Sequence, residues 1–78
     1  MDKQKVEMTW TNPYCGIQHL KESIKCGPIQ QITLTDRGLF VEVCAIRRGT
    51  FSSMWEEILP TVADAQVAGE RYLKRVTS

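Results

Sequence analysis

The chain has no window approaching the ~20 apolar residues that a membrane-spanning helix needs. Nor does an apolar run follow Met1-Asp2-Lys3-Gln4-Lys5, as a signal peptide requires. The expectation is a cytoplasmic protein with no membrane partner. A surplus of charge is also missing. Ten Lys and Arg against nine Asp and Glu leave a formal net charge of +1, so the composition carries no long-range pull toward nucleic acid. The three cysteines, Cys15, Cys26 and Cys44, are an odd number, which argues against a closed disulfide framework. In a reducing compartment they read as free thiols packed as small hydrophobes. The five glycines are scattered, and no glycine-rich phosphate loop exists.

What is present suffices for one folded domain over residues 1–78. Apolar residues make up 42% of the chain, with two each of Trp, Tyr and Phe, which excludes intrinsic disorder. A chain of this length buries only roughly 60–65% of its unfolded surface, so its stability should be modest.

Val6, Met8 and Trp10 alternate with polar residues, as in a half-buried strand. Asn12-Pro13 then resembles a helix start. Tyr14, Ile17, Leu20 and Ile24 form one helical stripe, ended by Gly27-Pro28. Two strands follow around Asp36-Arg37-Gly38. Ile32 and Leu34 share one face of the first, and Val41, Val43 and Ala45 one face of the second. A two- or four-residue loop brings these rows together, whereas the local turn chemistry favours three residues; the register stays open. Phe51, Trp55 and Ile58, with Met54 and Leu59, suggest two helical turns broken at Pro60. Thr61 and Asp64 resemble a capping box for a last helix of about Val62–Val76. Its small residues Ala65, Ala68 and Gly69 permit close approach to a sheet.

The expected fold is therefore α+β, in the order β-α-β-β-α. A three-stranded, mainly antiparallel sheet carries two helices on one face, the last broken or kinked near Pro60. Its core should comprise Val6, Met8, Trp10, Ile17, Leu20, Ile24, Ile32, Leu34, Val41, Val43, Val62, Tyr72 and Val76.

Chemistry is thin. Cys15 and His19, one turn apart on the expected helix, are the sole candidate nucleophile–base pair, and nothing is placed to orient His19. Cys15, His19, Cys26 and Cys44 match zinc in number but not in spacing. Glu56, Glu57, Asp64 and Glu70 read as solvated helix faces. No catalytic residue, metal or cofactor is expected.

The informative feature is the strand Leu39–Ile46, which is apolar on both faces. Phe40, Cys44 and Ile46 form a second row, interrupted by Glu42, that calls for a cover. The expected function is non-enzymatic protein binding, as a small adaptor or inhibitor. Its surface is this face, or the segment Phe51–Leu59 with Met54 and Trp55 as anchors. The partner is another protein or a second copy of the chain. Inhibitors of this size are common among phage- and mobile-element-encoded proteins. The alternative is a weak RNA- or DNA-binding module using Arg37, Arg47 and Arg48 at strand ends and Arg71, Lys74 and Arg75 on the last helix. Only Phe40 offers a base-stacking ring on that face.

Overall fold

The computed structural model describes residues 8–25 and 27–77, the side chains of 24, 25 and 77 excepted. Four strands form one antiparallel meander in the order β1-β2-β3-β4. They are β1 (Ile17–Leu20), β2 (Ile29–Asp36), β3 (Val41–Arg47) and β4 (Ser53–Leu59). A 3-10 turn, Lys21–Lys25, follows β1, and one helix, α1 (Val62–Thr77), follows β4. The α+β class holds. The expected three strands with two helices on one face do not: of the expected Val6–Trp10 strand the described residues keep only an isolated bridge at Trp10, the expected first helix is a turn, β1 and the 3-10 turn, and the segment before Pro60 is strand β4.

The first correction has a backbone cause. Cys15 and Gly16 both take left-handed φ values, 54° and 77°. An α-helix cannot contain such a pair, but a tight hairpin turn of the I′ kind requires it. Tyr14 and Ile17 close the turn with two backbone hydrogen bonds of 3.0 Å. Beyond it the buried row is Gln18 and Leu20, so a polar residue occupies an inward position and conceals the two-residue period. Gln18 is buried with its amide satisfied, donating to the Thr11 carbonyl at 2.9 Å and accepting from Gln66 at 3.3 Å.

The second correction comes from a bulge. Ala45 pairs with Trp55 but Ile46 with Ser53, which leaves Met54 as the extra residue. Met54 and Trp55 then both pack toward the core, and the apolar spacing imitates a helix. Pro60 marks a strand-to-helix corner rather than a kink within a helix. The expected cap is present in its main half, since Thr61 Oγ1 accepts the Asp64 N–H at 3.1 Å.

The β2–β3 hairpin settles the register. Leu34 pairs with Val43 and Ile32 with Ala45. Gly38 adopts φ 94°, and the Arg37 N–H donates to the Phe40 carbonyl, so Gly38-Leu39 forms the tip. The even-numbered loop collects the apolar rows on one face, as hydrophobic pairing favours over local turn chemistry.

Helix α1 covers that face. Leu20, Ile29, Ile32, Leu34, Val41, Val43, Ala45, Ala65, Tyr72 and Leu73 form the core. Each fully buried aliphatic side chain contributes about 1.5–3 kcal/mol. A Cβ on Gly69 would lie 3.0 Å from the Trp10 ring and 3.3 Å from Ile32, so the helix approaches the sheet where its small residues allow. Met8, Trp10 and Val62 only flank the core. Ile17 is half-buried on the opposite face and Val76 is exposed, contrary to expectation. Val6 and the Ile24 side chain lie outside the described residues.

Ser23 is buried and acts as a latch. Its hydroxyl donates to the Leu20 carbonyl at 2.6 Å and accepts the Ile32 N–H at 2.8 Å, tying the 3-10 turn to the central strand. Ser23→Ala should destabilise the fold by about 1–3 kcal/mol, because it strands a buried N–H. Thermal denaturation followed by circular dichroism should show a midpoint lower by roughly 5–15 °C. An unchanged midpoint would show that Ile32 finds another partner.

Candidate functional site: the uncovered sheet face and the β4 edge

Strand alternation assigns the two faces. With Val41, Val43 and Ala45 turned to α1, Phe40, Glu42, Cys44 and Ile46 point away from it. Register adds Ile17, Thr35 and Ile58 in one cross-strand row with Glu42, and His19, Thr33 and Glu56 in another with Cys44. Among the described residues no element covers this face. Phe40 is 37% exposed and Ile58 64%, while Cys44 and Ile46 are half-buried. The face is also more polar than one strand implied, because threonines and glutamates separate its apolar members.

The expected protein-binding set is therefore split. Phe40, Cys44 and Ile46 lie together on the open face. Met54 and Trp55 do not join them; they belong to the helix side, where Trp55 stacks on Tyr72 with ring centroids 4.5 Å apart.

Cys44 sits in a shallow depression of about 170 Å³ lined by Thr35, Glu42, Glu56 and Ile58 among others. Burial pushes its thiol upward, and the neighbouring Glu56 and Glu42 charges add to the effect. Such a thiol stays protonated and is a poor nucleophile. His19 shares the face but is set against Thr33, its Nδ1 lying 3.2 Å from Thr33 Oγ1. Cys15 stands exposed at the hairpin tip, not one helical turn from His19, because the expected helix is a turn and a strand. Cys26 lies outside the described residues. Among those described, no cluster of three His, Cys, Asp or Glu groups is arranged to hold a metal.

The expected nucleic-acid set is also divided. Arg37, at the β2–β3 tip, pairs with Glu42 at 3.1 Å. Arg47 and Arg48 lie at the opposite end of the sheet, toward which α1 runs with Arg71, Lys74 and Arg75. Arg48 is occupied structurally: its guanidinium donates to the Gly27 and Ile29 carbonyls at 2.9 Å each, bracing the entry to β2. Arg75 lies over the Tyr72 ring, 5.4 Å from its centroid.

Two features escaped sequence reasoning. Strand β4 is terminal, and no strand among the described residues pairs with its outer edge. A cleft of about 450 Å³ also lies between β4 and α1, walled by Trp55, Glu57 and Leu59 on one side and Asp64, Val67 and Arg71 on the other. Taken as a helix, Phe51–Leu59 has no edge to expose, so neither feature was legible. No protein-family model, curated protein or solved structure matches the chain.

The two described thiols should separate by reactivity. In a Cys26→Ser background, iodoacetamide at neutral pH should label exposed Cys15 well before Cys44. Cys44 labelling should rise only above the ordinary thiol range, because its proton is held more tightly. Mass spectrometry of timed samples reads this directly; faster labelling of Cys44 would contradict the environment described.

Proposed function

We propose that this chain is a non-enzymatic protein-binding module, an adaptor or inhibitor, that engages its partner through the sheet face opposite α1. The observation that carries this reading is the one-sided cover. The fold sets α1 on one face and leaves Phe40 and Ile58 accessible on the other, with Cys44 and Ile46 half-buried between them. Aromatic and aliphatic side chains within a polar surround are the usual anchors of protein interfaces. The protonated, shielded character of Cys44 fits a packing role better than a catalytic one.

Nucleic-acid binding is the weaker reading. Arg37, Arg48 and Arg75 are each engaged within the chain, and Glu42 and Glu56 would oppose phosphates on the open face. Strongly salt-dependent retention on immobilised DNA or RNA would favour it instead.

Affinity capture from the source cell tests the proposal. The wild-type chain should retain one stoichiometric protein. Phe40→Glu and Ile46→Glu, separately, should each weaken capture roughly tenfold or more, as loss of an interface anchor does. Their melting midpoints should remain near the wild-type value. Equal capture by folded variants, or failure of both variants to fold, would overturn the assignment of this face.

A further inference from the structure

The cleft beside β4 is a second surface, distinct from the open face. Its walls have opposite electrostatic character along their length. α1 runs back antiparallel to β4, so Asp64 stands at the Leu59 end and Arg71 and Arg75 stand toward the Trp55 end. Glu57 turns into the cleft because it pairs with buried Val43. Among the described residues Glu57, Asp64 and Arg71 have no ion-pair partner. Three unpaired charges, acidic toward one end and basic at the other, thus flank Trp55, Leu59 and half-exposed Val67.

We propose that this cleft takes an extended segment of a partner protein, added along β4 as a fifth strand. An edge strand presents unpaired N–H and C=O groups, which another strand satisfies and a helix does not. Side chains on one face of the added strand recur every two residues, about 6.8 Å, and enter the cleft in sequence. The lining selects a basic side chain opposite Glu57 and Asp64, its stem lying over Val67. It selects an acidic side chain two or four positions away, opposite Arg71. A second copy of this chain is a poor occupant, since the fully overlapping two-fold register sets Glu56 against Glu56. Nucleic acid fits no better, because Glu57 and Asp64 repel phosphate.

This inference rests on the protein-binding reading but uses different residues, so the two fail separately. A displayed library of random octapeptides, selected on the folded wild-type chain, is the probe. Enriched peptides should carry a basic and an acidic residue separated by one or three positions, in either direction. Glu57→Lys and Arg71→Glu should each weaken a selected peptide about tenfold, as loss of a complementary charge does. An acidic residue in the peptide's basic position should restore binding to Glu57→Lys. Both variants should melt at the wild-type temperature. No enrichment, or peptides indifferent to both substitutions, would overturn the proposal. Peptides lost with Phe40→Glu but kept by Glu57→Lys would remove the cleft while leaving the open face standing. A concentration-dependent dimer abolished by Glu57→Lys would replace the peptide with a second copy.

Discussion

One helix has to roof four strands, and it is too narrow to do so. An α-helix is about 10 Å across with its side chains, whereas the outer strands of a four-stranded sheet lie about 14 Å apart. α1 therefore packs chiefly over β3, reaching β2 and β4 on either side and leaving β1 to other cover. The two flanks are treated differently. On the β1 side Trp10 extends the roof, packing beside Gly69 and donating its indole N–H to Glu70 at 2.9 Å. On the β4 side the sheet supplies its own ring, Trp55, which stacks on Tyr72 and leaves the cleft beyond it. The cleft follows from this mismatch of widths, whereas the uncovered face follows from α1 lying on one side of the sheet and the bare edge from β4 ending the strand order.

The parts of the fold that the sequence made legible are those where pattern and burial agree. Ile32 and Leu34 alternate cleanly against Val41, Val43 and Ala45, so the central hairpin is legible, while its loop length stayed open because hydrophobic pairing and local turn chemistry disagree. The last helix, its Thr61 cap and its small residues facing the sheet are equally direct. Where the reading departs from the structure, a polar residue occupies an inward position. Gln18 sits in the buried row of β1, and Glu57 sits in the inner row of β4. Both break the two-residue period. The Cys15-Gly16 turn adds to this, since Cys is an uncommon occupant of a left-handed position that Asn or Gly usually takes.

The same substitutions that obscure the strands define the surfaces. Glu57 reads as a solvated helix position in the sequence but is an unpaired charge facing a cleft in the fold. The row Phe40, Cys44, Ile46 was legible because it depends only on alternation within one strand. Its neighbours across the sheet were not, because they require the register of β1 and β4. Phe51 remains outside both surfaces: it is 69% exposed with φ 60° in the β3–β4 loop. A bulky residue in that region is strained, and its backbone N–H donates to the Arg47 carbonyl at 2.9 Å within the loop.

The central claim is that β4 ends the sheet as a bare edge. Amide hydrogen exchange on the isolated chain, resolved residue by residue by NMR, tests it most directly. β2 over Ile32–Thr35 and β3 over Val41–Ala45, each flanked on both sides, should exchange slowly. In β4, slow and fast amides should alternate as N–H groups point toward β3 or away from it. Uniformly slow exchange along β4 in a monomeric sample would show that the edge is covered, and would contradict the account.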